Sequence, residues 1–219
     1  MKSRVWVVLL ALIGFGVGAF GLARAKAVRR ARSAAVASVA TVEPETHKVT
    51  PDMLASAGQR VKSAAPAFRR VDADGTTQDL AELLKSGPIV LVFIKDGCPC
   101  SVSASPYFNA LHTLYRGRLR LLGVIDGDAG VARRWGSANH VTFPILLDPS
   151  LDLAKNYGAT NSAFVALIDR DGRIDELWPG YSASMLHDLN RRASAMAGLV
   201  QEPFDASDAP DELYSGCPF

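Results

Sequence analysis

Six consecutive apolar residues, Ile89 to Ile94 (IVLVFI), run almost directly into Cys98-Pro99-Cys100, and no other stretch constrains the fold as much. A strand that is apolar at every position, rather than at alternate ones, has to be covered on both faces. That is the situation of a central strand in an α/β sheet with helices on either side. After the cysteines the spacing becomes helical up to about Tyr115. The local reading is strand, turn, helix, with the thiols at the turn.

The same rhythm continues on both sides of this unit. Upstream, Val71 to Thr76 reads as a strand end with a tight Asp74-Gly75 turn, and Asp79 to Lys85 as a short helix stopped by Gly87-Pro88. Downstream come a strand over Leu119–Ile125, a helix to Trp135 and an extended segment Phe143–Asp148. A short helix ending at Tyr157-Gly158 and a strand Phe164–Ile168 follow. Asp169 to Gly172 is a hairpin turn from which Ile174–Trp178 pairs back. Ser182–Ala197 closes the domain as an amphipathic helix carrying Met185, Leu186, Leu189 and Met196 on one side. A chain of 219 residues that is 48% hydrophobic and 21% charged holds one such core plus appendages, and disorder as the main state is excluded.

The two cysteines sit where a helix begins. Free N–H groups and the positive end of the helix dipole favour thiolate over thiol there, which lowers the pKa and creates a nucleophile. Pro99 suits a first helical turn, where its missing N–H costs nothing. Free cysteines are also common as small core residues. Two of them flanking a proline at a strand-to-helix junction read as thiol chemistry instead.

With these residues in view, the chain resembles the thioredoxin-like redoxins, including the AhpC/TSA-type and membrane-anchored TlpA-like thiol-disulfide proteins. The matching pieces, over roughly residues 65–200, are Ala65-Pro66-Ala67-Phe68, Asp74-Gly75, Leu80, Phe93, Pro106, Phe143-Pro144 with Asp148, Tyr157-Gly158, Leu167-Ile168-Asp169 and Asp171-Gly172. The resemblance implies a thioredoxin-like fold with a central mixed sheet flanked by helices. It makes Cys98 the attacking cysteine and Pro106 the proline that kinks the following helix. The implied partners are protein thiols or disulfides, with no cofactor and no resident metal.

The sequence departs from that pattern at three places. The family's resolving cysteine falls at Ser101, so the pair here is tighter by one residue. Its loop proline falls at Ala163 within Asn161-Ser162-Ala163-Phe164, where a trans peptide and a different substrate groove are expected. The proline and hydroxyl residue that precede a peroxide-reducing cysteine are also missing: Leu91 and Lys95 stand in those slots for Cys98, and Phe93 and Gly97 for Cys100. A typical peroxiredoxin is therefore not expected.

Gly216-Cys217, near the end of the chain, resembles a Gly-Cys element that closes some related redoxins. Cys217 is accordingly a candidate to resolve Cys98 or Cys100; the plain alternative is a flexible tail with a stray thiol. Two other classes stay open. One is a copper- or zinc-binding module using Cys98, Cys100 and Cys217 as soft ligands, although His47, His112, His140 and His187 do not occupy the position that copper carriers of this fold use. The other is a partner-binding domain without chemistry.

Val5 to Ala23 forms one long apolar segment preceded by Lys2 and Arg4, long enough to span a bilayer as a helix. Residues 1–23 are thus expected to be a membrane anchor, or a signal cleaved near Ala23 to Ala27 that leaves a secreted protein. Basic residues Arg24, Lys26, Arg29, Arg30 and Arg32 follow at once and meet lipid headgroups rather than nucleic acid. The redox motif favours an extracytoplasmic domain, whereas the positive-inside count opposes it. The division expected is a linker over 24–60, a thioredoxin-like domain over 61–200, and an acidic tail over 201–219 that carries Cys217.

Overall fold

The computed structural model describes residues 47–219. The apolar segment 5–23 lies outside them, and among the described residues no helix is long and apolar enough to cross a membrane. The described chain opens with helix α1 (Pro51–Gly58), a two-stranded antiparallel ribbon of β1 (Arg69–Val71) and β2 (Thr77–Asp79), and helix α2 (Leu80–Leu84). The main sheet then takes β3 (Ile89–Ile94), β4 (Arg120–Ile125), β5 (Ile145–Leu147), β6 (Phe164–Ile168) and β7 (Ile174–Trp178). Its helices are α3 (Pro99–Leu114), α4 (Ala129–Ala138), α5 (Asp152–Tyr157) and α6 (Ala183–Ala197).

The sheet order is β5-β4-β3-β6-β7, with β3 in the middle. β3 runs parallel to β4 and antiparallel to β6, so the sheet is mixed. All six residues of β3 are buried, and the pleat sends them alternately to two cores. Val90, Val92 and Ile94 join Phe108 and Leu111 of α3 and Leu186 and Leu189 of α6. Ile89, Leu91 and Phe93 join Ala57 of α1, Leu80 of α2 and Leu153 and Tyr157 of α5. Each large side chain buried this way contributes about 1.5–3 kcal/mol.

The element boundaries follow local chemistry. Thr50 Oγ1 accepts the Met53 N–H at 3.3 Å and Pro51 occupies the first turn of α1, so a folded helix stands within the stretch read from sequence as linker. Pro106 lies inside α3 and removes the N–H that would satisfy the Val102 carbonyl. The Ser105 hydroxyl donates to that carbonyl at 2.9 Å and repairs the loss. The hairpin turn over Asp169–Gly172 and the antiparallel return of β7 stand where the turn residues indicate.

Candidate thiol site

β3 ends at Ile94, and a tight turn brings the chain to Cys98, the N-cap residue of α3. Three groups fix that turn. The Lys95 N–H donates to Ser101 Oγ at 3.1 Å, and the Asp96 N–H donates to Asp126 Oδ1 at 2.8 Å. Lys95 Nζ pairs with the other Asp126 oxygen at 3.3 Å. Gly97 takes φ 74°, a left-handed conformation that suits glycine. Asp126, directly after the end of the neighbouring strand β4, thus anchors the cysteine loop. Asp128 does cap its helix, accepting the Val131 N–H at 2.9 Å.

The loop before β6 forms the facing wall. Asn161 Nδ2 donates to the Pro179 carbonyl at 2.7 Å and to the Ser162 carbonyl at 3.0 Å. Ala163 follows with φ 55°, and its N–H donates to the Phe93 carbonyl at 2.9 Å, a bond a proline there could not make. The peptide bonds of the described residues are all trans, as expected at Ala163. Ser162 is fully buried, and its hydroxyl donates to Cys98 Sγ at 3.0 Å. The sequence places Ser162 next to the missing loop proline but gives no sign of this contact.

The C-terminal residues complete the site. Tyr214 exchanges two backbone hydrogen bonds with Tyr181, both at 2.9 Å, while the Ser215 N–H donates to the His47 carbonyl at 2.6 Å. The chain then pairs along the β6 loop: Gly216 N–H to the Ser162 carbonyl at 3.0 Å, Ser162 N–H to the Cys217 carbonyl at 2.9 Å, Phe219 N–H to the Thr160 carbonyl at 3.1 Å. This brings the Cys217 N–H to 3.1 Å from Cys98 Sγ. The fit requires Gly216, because a Cβ there would collide with Ser162 Oγ and stand 3.1 Å from Cys98 Sγ. The end of the chain is thus a bound strand, and Cys98, Cys100 and Cys217 come together around one sulfur, all three as free thiols.

The electrostatics divide the three sharply. The pKa of Cys98 falls to about 3, chiefly because the Cys100 thiol donates to it, with further help from the Cys217 N–H and the Ser162 hydroxyl against the cost of burial. Cys98 makes no side-chain bond to the first N–H groups of α3, so these neighbours, rather than a helix cap, hold its charge. Cys100 is pushed up, first by donating to Cys98 and then by burial. Cys217 is also raised, by burial and by the Cys98 charge, while Lys95 pulls the other way. The arrangement is one thiolate surrounded by donors, with two protonated thiols beside it.

Two of the histidines make contacts away from the thiols. A His112 ring nitrogen lies 2.9 Å from Thr142 Oγ1, and His187 packs edge-on to Phe204. Among the described residues no group of three or more His, Cys, Asp or Glu side chains is arranged to hold a metal ion.

A family model described as Redoxin matches residues 60–190, more than half of the chain. The chain belongs to the redoxin family. Solved structures agree at the level of fold. The redoxin is similar to a hypothetical protein from Sinorhizobium meliloti, at 24% identity with TM-score 0.58, over 72% of this chain and 92% of that one. It is also similar to a putative protein disulfide isomerase from Bacteroides thetaiotaomicron, at 23% identity with TM-score 0.58, over 64% and 91% of the two chains. A putative thiol:disulfide interchange protein DsbE from Chlorobium tepidum matches at 20% identity and TM-score 0.58, over 63% and 98%. No curated protein sequence matches the redoxin.

Proposed function

We propose that this redoxin is a membrane-tethered thiol-disulfide oxidoreductase in which Cys98 is the nucleophile and Cys217 the resolving thiol. The observation that carries this reading is the set of donors on Cys98 Sγ, namely the Cys100 thiol, the Ser162 hydroxyl and the Cys217 N–H. A thiolate held this way is charged at neutral pH and needs no separate base. The Cys98 thiolate attacks one sulfur of a partner's disulfide, giving a mixed disulfide and releasing the partner's other sulfur as thiolate. Cys217 then passes its proton to the partner's released thiolate and attacks Cys98 Sγ, which forms the Cys98–Cys217 bridge and expels the partner's second sulfur as thiolate, freeing the reduced partner. Cys100 stays protonated and serves as the principal donor to Cys98.

The assignment of Cys217 over Cys100 rests on ring size. A bridge between Cys98 and Cys100 closes a very small ring and strains the geometry that disulfides prefer. Cys217 arrives on a separate strand and is free of that restriction. Tethering is supported by the apolar run over residues 5–23 and its basic flanks, and the thiol chemistry favours an extracytoplasmic position for the domain.

The test is reduction of a disulfide-bonded reporter protein. Wild type should reduce it, Cys98→Ser should not, and Cys217→Ser should accumulate a reporter bound through Cys98. Undiminished activity in Cys98→Ser would refute the assignment.

A further inference from the structure

The segment that carries Cys217 is held at two separate places. Residues 216–219 pair with the β6 loop and lie against Cys98, whereas residues 213–215 are held by another part of the chain. Tyr214 sits in the middle of a small antiparallel ribbon, bridged to Tyr181 on one side and to Lys48 on the other. On the Lys48 side, the Val49 N–H donates to the Leu213 carbonyl at 3.0 Å. The Ser215 N–H and hydroxyl both donate to the His47 carbonyl, at 2.6 and 3.1 Å, and Lys48 Nζ pairs with Glu212 at 3.0 Å. Resting on the resolving role proposed above for Cys217, we propose that His47–Val49 and Tyr181 clamp the tail at Leu213–Ser215. Only residues 216–219 then lift when a disulfide enters, and the resolving thiol stays on a two-residue arm beside Cys98.

The two sets of bonds share no partner. Cys98 is 1% exposed, with Gly216 and the Cys217 N–H against its sulfur, so an entering sulfur reaches it once the tail's bonds to Ser162 and Thr160 open. Those bonds involve none of His47, Lys48, Val49 and Tyr181. The pivot falls at Ser215-Gly216, where glycine gives the backbone freedom to turn. Further back the tail is fixed at Pro210, whose carbonyl accepts the Ala183 N–H at 2.8 Å. Without the clamp, Cys217 swings on seven residues from Pro210 instead of two from Ser215. Effective concentration falls roughly as the −3/2 power of linker length, so the clamp speeds the return of Cys217 by about sixfold.

Gly180 lets the three segments of the clamp meet. A Cβ there would collide with the Tyr214 carbonyl and stand 2.9 Å from Val49 Cγ2, and its three nearest atoms all belong to those two residues. Gly180→Ala therefore strikes the clamp, while Lys48→Glu weakens it from the exposed side by turning the attraction to Glu212 into repulsion.

The experiment uses full-length reduced protein and a symmetrical nitrobenzoate disulfide whose released thiolate is coloured, supplied below one equivalent. Attack by the Cys98 thiolate breaks the reagent's S–S bond, leaves half of the reagent on Cys98 and releases one coloured thiolate. Cys217 then gives its proton to the buffer and attacks Cys98 Sγ, which forms the bridge and releases the second coloured thiolate. The reagent takes up two electrons in all. The first phase reads access to Cys98, and the second reads the return of Cys217. Gly180→Ala should quicken the first phase and slow the second by about sixfold. Lys48→Glu should move both phases in the same directions by about twofold, and adding Glu212→Lys should restore them. A second phase of wild-type rate in both Gly180→Ala and Lys48→Glu would overturn the clamp, and its loss in Cys217→Ser would still uphold the resolving role. A second phase that persists in Cys217→Ser would overturn the resolving role itself.

Discussion

The backbone N–H of Cys217 donates to Cys98 Sγ at 3.1 Å, joining residues 119 positions apart in the chain. The same strand therefore supplies a hydrogen bond to the nucleophile, a second thiol beside it and the cover that hides it from solvent. Each of these roles makes a distinct prediction.

Thiolate absorbance of the reduced protein should persist far below the ordinary thiol range, with Cys98 titrating near pH 3. Ser162→Ala removes one donor to a charged sulfur, a bond of about 1.5–3 kcal/mol, and should raise that pKa by about 1–2. Because the folded-state pKa lies below the unfolded value of 9.0, native protein binds fewer protons than unfolded protein across the interval between them. The contribution of Cys98 to stability is thus complete above about pH 9 and fades as pH falls towards 3. Denaturant melts of the reduced protein across this window should show a rise with pH that Cys98→Ser lacks.

Gly216→Ala should dislodge the end of the chain, since its methyl group collides with the Ser162 hydroxyl. Alkylation of Cys98 should then accelerate by about tenfold or more, as for a buried group released by local opening. Deleting residues 213–219 should have the same effect. An unchanged rate in both variants would mean that the tail is no barrier to Cys98.

The framework of the fold was legible because it rests on local patterns. The unbroken apolar run of β3 demanded two covered faces, and turns such as Asp169–Gly172 marked where strands reverse. Cys98 and Cys100 were legible for the same reason, since Pro99 marks a first helical turn. Thr50 before Pro51 is an equally local helix signal, set inside a stretch otherwise poor in pattern. The partners of the site were much less legible. Asp126 reaches the cysteine loop from a parallel strand, Ser162 reaches Cys98 from the loop before β6, and Ser215 reaches back to His47. Such contacts follow from tertiary packing, and periodicity along the chain carries no trace of them. Gly216 shows the distinction: its presence beside Cys217 could be noticed, but its necessity appears only when the Ser162 hydroxyl is set against it.

Removal of residues 1–23 should move the redoxin from the membrane fraction to the soluble fraction without altering its reduced-state thiol titration. Protease applied to intact spheroplasts should digest the domain of the full-length protein. Full protection would place the domain on the cytoplasmic side, as the basic residues after Ala23 suggest.

Disulfide mapping of the full-length protein, taken oxidised from its native compartment and digested without reductant, tests the three-cysteine site most directly. The predicted result is a peptide pair joining Cys217 to Cys98, with Cys100 free; the long loop this bridge closes would stabilise the fold by about 4–5 kcal/mol in the chain-entropy model. A Cys98–Cys100 bridge with Cys217 fully free would contradict it and leave the Cys-Pro-Cys pair as a self-contained redox motif.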